Sequence, residues 1–567
     1  MNKNRLSIVY RFVGRYWPEL VLFCGSLDRL WITEDAFISF RSVENVVQGC
    51  GPVFNCGTRV ESYTHPLWLG VLVVLRLISG RDLLPLVSAI TGILFTVGGF
   101  LLIRRAHERF TPPRTQGMVP VGYAMMACLP VLWDFASSGL ETGLSFGWIG
   151  AVTWILSASA REGVSPTKTE ERGVSKASSA YFFILGLGPI IRPDLAVVSA
   201  ISLGVIGWRY RLFKSPLGLL KMAISGGALP IGYQIFRMGY FALLYPNTAL
   251  AKEGFLARWD QGWLYLWNLV TTYYLLFPPI IALFCLGMAI RHKVANPGCR
   301  ALASLSVAGL CYGLAIVRIG GDFMHGRMLL PAVMLIGASL AWVRIPKHRL
   351  LHLWVTVALG AWCVFVVLFA TSPDRGQIGK HGIVDERWYY THIATIRRPL
   401  SLADFNHNPL YRQGLIFKKT TQEGASAVYF GNIGISGMVA GLKTVIIDPM
   451  GLNDYLSSHI RLTTRGRPGH EKFASAAWFL ARYPQGYVPP SSMKDQFGRV
   501  STPRDILAAR SVLERAEPVA ALIQAVTEPM SLGRFIENVR RAGEFSRLRI
   551  PPNPEEAAWQ FGVTLPP

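Results

Sequence analysis

A handful of short polar stretches in this chain hold residues that could do chemistry. The first reads Thr33-Glu34-Asp35-Ala36-Phe37-Ile38-Ser39-Phe40-Arg41, and Tyr63-Thr64-His65-Pro66 follows it. Glu34 and Asp35 are adjacent, so they cannot point the same way on a helix or a strand, and at most one of them is the reacting carboxylate. Glu141 stands in Ser137-Ser138-Gly139-Leu140-Glu141-Thr142-Gly143, and Lys252 ends Tyr245-Pro246-Asn247-Thr248-Ala249-Leu250-Ala251-Lys252. Asp322, His325 and Arg327 crowd into Gly320-Gly321-Asp322-Phe323-Met324-His325-Gly326-Arg327. Carboxylates beside Lys, Arg and His suit transfer of a group from an anionic carrier. The cations hold a phosphate, Arg bidentately, and a carboxylate works on a hydroxyl or an electrophilic carbon. A second explanation stays open for the acids: Thr33, Glu34 and Asp35, or Glu141, are also good residues for starting a helix.

The elements that position these groups follow from the composition. The chain has 567 residues, 51% hydrophobic and only 16% charged, yet a net charge of +23. Its mean hydropathy is +0.33. Such numbers exclude a disordered chain, a collagen-like chain and a disulfide-dense mini-protein, and fit a polytopic membrane protein. Apolar runs recur up to Thr371 and then stop. Runs near the length a bilayer requires lie at 11–30, 84–103, 117–135, 139–159, 179–192, 195–208, 217–240, 262–290, 301–319, 327–343 and 351–371. The pair 179–192 and 195–208 reads as a tight hairpin around Arg192-Pro193-Asp194. The run 65–79 is ambiguous, and the positive-inside rule decides it. If it lies along the membrane surface, the basic segments at the N-terminus (Lys3, Arg5, Arg11, Arg15), 104–109, 160–178, 209–221, 291–300 and 344–349 all fall on one side. The expected fold is therefore a polytopic α-helical membrane protein of about eleven crossings. Residues 1–371 form the membrane domain, with the N-terminus inside. The first outside loop is 31–83 and carries an interfacial helix at 65–79.

Residues 372–567 carry 24 Lys+Arg and 17 Asp+Glu, or +7, against 33 and 17, or +16, before them. This second part is expected to be a soluble α/β domain outside the membrane. Ala427-Val428-Tyr429-Phe430-Gly431 and Thr444-Val445-Ile446-Ile447-Asp448 read as strands around a short helix, a βαβ unit. Asp448 to Asp454 follow the second strand, where such folds place ligands. Arg465 to Lys472 include His470, a helix is expected over 471–483, and 503–546 reads as helices. The basic excess is a topology signal, and no aromatic-basic pattern points to nucleic acid. Of eight cysteines, Cys50 and Cys56 share the first outside loop, where they form a disulfide or remain two free thiols. No metal-ligand spacing is present; a divalent cation stays open and none is assigned.

Taken together and in order, these motifs resemble the GT-C superfamily of polyprenyl-phosphate-sugar-dependent glycosyltransferases, and more closely the AftB family of terminal β-(1→2)-arabinofuranosyltransferases of mycobacteria and corynebacteria. The stretches that carry the resemblance are 34–41, Ser138-Gly139-Leu140-Glu141-Thr142, Tyr245-Pro246-Asn247-Thr248, 320–327, 448–454 and Arg467-Pro468-Gly469-His470-Glu471. The resemblance covers nearly the whole chain. It implies a decaprenyl-phosphoryl-β-arabinofuranose donor, an acceptor at the non-reducing ends of cell-wall arabinan (arabinogalactan and lipoarabinomannan), and a multi-pass inner-membrane enzyme with its active site and C-terminal domain in the periplasm. The first motif often reads Asp-Asp in that family; Glu34 in its first position leaves Asp35 as the catalytic residue, with Glu34 assisting. Arg327, His325 and Lys252 are then expected to hold the lipid phosphate, Asp322 and Glu141 to orient sugar hydroxyls, and Arg41 and His65 to line the donor side. His470, Asp448 and Asp454 are expected on the acceptor side. The competing readings are another polyprenyl-phosphate-sugar transferase, such as a mannosyltransferase, and a cell-envelope glycan or lipid transporter or binding protein. Oligomeric state is not fixed.

Overall fold

The computed structural model describes residues 3–110, 117–162, 179–393, 401–494 and 498–566. The basic loop expected at 160–178 lies almost wholly outside the described residues, as do the side chains of Lys3, Arg5 and Arg11. The chain is mostly helical and divides into two compact units. One comprises Met1–Trp31, Ser88–Pro230 and Arg258–Tyr389, the other Ile32–Val87, Ile231–Ala257 and Tyr390–Pro567.

The first unit holds most of the apolar helices. Leu84–Glu108, Thr142–Ala160 and Arg349–Phe369 are long and apolar enough to cross a membrane. Helices Trp259–Tyr273 and Phe277–Arg291 are a fourth candidate if they count as one span. Helix Arg349–Phe369 leaves Leu353, Trp354, Val357, Leu368 and Phe369 more than half exposed. An apolar helix with open apolar sides belongs in lipid. These are the features of a membrane protein.

Two of the expected runs are broken. The run 117–135 becomes helices Val121–Ala127 and Pro130–Ala136, because Pro130 cannot continue the first one. The run 262–290 is interrupted between Tyr273 and Phe277, where the two pieces meet at 77°. Tyr274 takes a left-handed conformation at that break and Pro278 and Pro279 open the second piece. The hairpin around Arg192-Pro193-Asp194 is present, with Pro193–Leu195 as its turn and helix Ala196–Arg209 beyond it.

The second unit contains the short parallel pair Val428–Tyr429 and Ile446–Ile447, joined by helix Gly434–Ala440. The alternation of a strand decides its packing. Val428 and Ile446 face Ile38, Phe54 and Phe417, while Tyr429 and Ile447 face Ala476 and Phe479. Tyr487 extends the pair on the Val428 side, its N–H donating to Ala427 O at 2.8 Å. On the other edge Asn55 acts as a one-residue strand: its Nδ2 donates to Ile446 O at 2.7 Å, and Ile446 N donates back to Oδ1 at 3.2 Å. A larger core around Trp478, Val512, Val519, Leu522 and Phe545 joins helices Pro503–Arg515, Glu517–Thr527 and Leu532–Arg547 to Leu243 and Leu250.

Asn55 sits in a small loop closed by a disulfide between Cys50 and Cys56, six positions apart. Cross-linking so short a loop removes about 2 kcal/mol of unfolded-state entropy. Cys50→Ser is expected to lower the unfolding midpoint of the purified protein to that extent and to give the same midpoint with and without reductant. A midpoint equal to wild type would show that the bridge does not stabilise the fold through its loop.

Candidate active site

Helix Glu34–Val47 presents Glu34 and Asp35 in its first turn, and its body from Ala36 to Asn45 is buried. The two acids have different surroundings. Glu34 is buried, and its carboxylate accepts the backbone N–H of Gly434 at 2.5 Å. A Cβ at position 434 would stand 2.7 Å from Glu34 Oε1 and closer still to its backbone oxygen, so only glycine fits there. Glu34 therefore binds one helix start to another. Asp35 is partly exposed in a stretch otherwise closed to solvent.

The other end of the small helix is held by Arg41. Its Nε donates to Phe54 O at 2.9 Å, Nη1 to the carbonyls of Gly437 and, at 3.1 Å, Gly441, and Nη2 to Thr444 O at 2.7 Å. The guanidinium stacks on Phe54 at 4.6 Å and is fully buried. Burial, with Arg81 nearby, lowers its pKa to about 9, so it remains charged at neutral pH. The donor-lining role expected for Arg41 is corrected: its donors go to backbone carbonyls, and those of Gly437 and Thr444 would otherwise end buried and unpaired.

Asp448 lies just past the second strand, fully buried, and takes N–H bonds from Met450 at 3.0 Å and Leu452 at 2.8 Å. A Cβ on Gly431, past the first strand, would come 3.9 Å from its Oδ1. Burial is the largest influence on the Asp448 carboxyl and pushes its pKa up to about 7; the two backbone bonds oppose this, and the charges of Asp454 and Asp35 add to it. The strand ends, the Gly434 helix start and Asp35 thus share one neighbourhood. Because the folded pKa is raised, the fold is favoured by the protonated form. That contribution is complete below about pH 4 and lost as pH rises through about 7. Asp448→Asn is expected to flatten the fall in unfolding midpoint between pH 4 and 7. An unchanged slope would remove Asp448 as its cause.

Asp454 is corrected from an acceptor-side residue to a structural one. Arg482 grips its carboxylate at 2.7 and 2.9 Å, and Ser457 donates to it from N at 2.9 Å and Oγ at 2.7 Å. These partners outweigh full burial and hold its pKa below the ordinary carboxylate value. His65 opens helix Pro66–Ser79, and its Nε2 lies 2.9 Å from Ser39 Oγ, one turn along from Asp35. Lys252 packs its stem 3.3 Å from the position a Cβ on Gly469 would take, next to His470.

Several structural partners had only weak local signals. Lys472 is buried against Glu253 at 2.6 Å and donates to Leu250 O and Ser458 O, both at 2.9 Å. Asn247 donates to Gly451 O at 2.7 Å, tying the Tyr-Pro-Asn motif to the Asp448 loop. Glu61, fully buried, takes Arg237 at 2.7 and 3.2 Å and Tyr233 at 2.6 Å.

In the first unit the expected residues fall into two clusters. Arg327 stands 3.7 Å from Glu141 and 3.5 Å from Asp322; Arg192 is 3.4 Å from Glu141 and bidentate to Asp194 at 3.1 and 2.8 Å. Arg192 and Asp194 entered the sequence reading only as a hairpin turn. His325 belongs elsewhere: with Trp31, Asp134, Tyr273 and Arg387 it lines a small cavity. Its Nδ1 meets Asn268 Oδ1 at 2.6 Å, while its Nε2 is buried with no hydrogen-bond partner. Burial lowers the imidazole pKa to about 4, against the opposing charge of Asp134. Asp134 is held by Arg29 at 2.6 and 2.9 Å and by Arg387 at 3.2 Å. Among the described residues no three His, Cys, Asp or Glu side chains gather as a metal group.

Residues 403–558 match the model of the AftB family C-terminal domain. Two curated relatives extend the likeness over the chain. One, from Mycobacterium tuberculosis, is named terminal beta-(1->2)-arabinofuranosyltransferase; it is 28% identical over 627 aligned positions, covering 96% of this chain and 96% of the relative. The chain is thus similar over nearly its whole length to terminal beta-(1->2)-arabinofuranosyltransferases, and over residues 403–558 to the AftB C-terminal domain. It is an enzyme of the glycosyltransferase class. The relative from Corynebacterium glutamicum bears the same name and is 28% identical over 627 positions, 98% of this chain and 89% of its own length. No solved structure matches. The AftB match spans the strand pair, the Gly434 helix, Asp448, Asp454 and His470.

Proposed function

We propose that this protein transfers arabinofuranose from decaprenyl-phosphoryl-β-arabinofuranose to the non-reducing ends of cell-wall arabinan, making terminal β-(1→2) linkages on arabinogalactan and lipoarabinomannan. The observation that carries the reading is the state of the first motif: Glu34 is buried on Gly434 N–H, and Asp35 beside it is left partly exposed. The names of the two relatives support the sugar and the linkage.

A β donor giving a β product means net retention. In one route the Asp35 carboxylate attacks the anomeric carbon as the carbon–phosphate oxygen bond breaks. The acceptor hydroxyl then displaces Asp35 and passes its proton to the released lipid phosphate. In the other, lipid phosphate leaves and the acceptor hydroxyl enters on one face, with Asp35 stabilising the charge on the sugar. The phosphate is assigned to Arg327 and Lys252, sugar hydroxyls to Asp322 and Glu141, and the acceptor side to His470 and Asp448; His325, neutral in its own cavity, is no longer assigned to the phosphate. The reading places about eleven crossings in the bacterial inner membrane, the N-terminus in the cytoplasm and residues 372–567 in the periplasm.

Membranes containing the protein, a labelled arabinosyl lipid and a short arabinan acceptor test this directly. A new terminal β-(1→2) residue is expected. Transfer only from a mannosyl lipid would replace the donor. No transfer from any polyprenyl-phosphate sugar would remove the activity.

A further inference from the structure

A second cavity lies in the second unit and enters none of the chemistry above. It measures about 220 Å³, and its walls include Phe473, Ser475, Arg499, Ser501, Asn553 and Glu556. At about 30 Å³ per water that is space for roughly seven waters, or about one sugar ring. Phe473 with Pro552 and Pro554 supplies an apolar floor. Hydroxyl, amide, guanidinium and carboxylate groups make up the rest.

One of those hydroxyls is out of its ordinary place. Ser475 precedes helix Ala476–Arg482, where a serine side chain normally caps the first turn. Here it makes no cap bond; the Ala477 N–H donates instead to Ser501 Oγ at 3.0 Å. Ser475 Oγ is left buried with no hydrogen-bond partner, on the wall of the cavity. A buried hydroxyl without a partner is unfavourable unless something else bonds to it.

The charges narrow the choice of ligand. Arg499 pairs with Asp505, and Glu556 pairs with Arg461 at 2.5 Å. The walls carry one cation, Arg499, and two carboxylates, Asp505 and Glu556, each of them already paired, so they do not favour a phosphate. Paired charges, hydroxyl partners and the apolar side chains of Phe473, Pro552 and Pro554 suit an uncharged ring with hydroxyls on its edge and C–H groups on its face.

We propose that this cavity is a glycan subsite, which takes one furanose ring of the acceptor polymer away from the point of transfer. The identity of the ring rests on the function proposed above; the presence of a sugar site does not. Holding a distant ring would raise the local concentration of chain ends and favour long acceptors over short ones.

The test uses the purified full-length protein without lipid donor and a short arabinofuranose oligosaccharide, read by saturation-transfer NMR and calorimetry. Saturable binding is expected in the wild type. Ser475→Ala should weaken it about tenfold while leaving the unfolding midpoint unchanged or higher, since the change deletes an unsatisfied buried group. Thr463→Trp, at an exposed wall position, should block binding without touching the core. Both variants should keep wild-type transfer to a minimal acceptor and show a raised KM for a long one. No saturable binding by the wild type, or wild-type affinity in both variants, overturns the subsite. Wild-type binding without transfer from the arabinosyl lipid would leave the subsite standing and refute the proposed function.

Discussion

Asp35→Asn is expected to leave the enzyme folded and membrane-inserted and to lower transfer by about three orders of magnitude. A carboxylate acting as nucleophile or charge stabiliser cannot be replaced by a neutral amide, and such groups contribute about 10²–10⁴-fold. The asparagine is nearly the same size and sits at a partly exposed position in the first helical turn. Its effect on stability should be under about 0.5 kcal/mol. Glu34→Gln is the matched control. It weakens the acceptor for Gly434 N–H, so it is expected to cost about 1–3 kcal/mol of stability while activity per folded molecule stays within about tenfold. Rates of arabinosyl transfer and unfolding midpoints of the two variants decide the matter. If Asp35→Asn kept a tenth of wild-type activity, or Glu34→Gln proved the more damaging to turnover, the roles of the two acids would have to be exchanged or abandoned.

The second large effect is on folding. Arg41→Ala leaves the carbonyls of Gly437 and Thr444 without their donor in a closed interior, while Phe54 O keeps Asn45 Nδ2 and Gly441 O keeps the Thr444 N–H. At about 1–3 kcal/mol for each of the two unsatisfied groups, with the lost stacking on Phe54, the loss is on the order of 4 kcal/mol. For a unit of this size that is a fall of roughly 10 °C in midpoint. Arg41→Lys retains the charge without the planar fork and should fall between. Activity is expected to follow the folded fraction. A variant with a wild-type midpoint but no transfer would return Arg41 to the donor side, where its place in the first motif had put it.

What the sequence disclosed, and what it hid, follows from the range of each signal. The acidic pair after an apolar run, the hairpin at Arg192-Pro193-Asp194 and the strand–helix–strand pattern around Gly434 depend on neighbours within a few residues, and all are readable from the chain. The break between Tyr273 and Phe277 is less so: Pro278 and Pro279 are visible, but the preceding apolar residues run on without a charge. Asp454 could have been recognised as a helix cap from Ser457, three residues on, but its partner Arg482 lies 28 residues away. Glu34 on Gly434 and Arg41 on Thr444 are beyond any local rule, with separations of 400 and 403 residues. Nothing near Glu34 distinguishes a carboxylate that accepts a distant N–H from one that reacts. The difference between the two acids therefore required the fold.

Those separations also set an order in time. At about 5–20 residues per second, a ribosome finishing the Asn55 loop needs roughly 20–80 s more to reach the strand that Asn55 pairs with, 391 residues later. For that interval the helix carrying Asp35 has neither the Gly434 helix nor the carbonyls of Gly437, Gly441 and Thr444 that Arg41 binds. A nascent chain cut short before residue 434 would hold the carboxylate proposed to react on an unsupported segment. Competence for transfer is therefore among the last properties that synthesis confers.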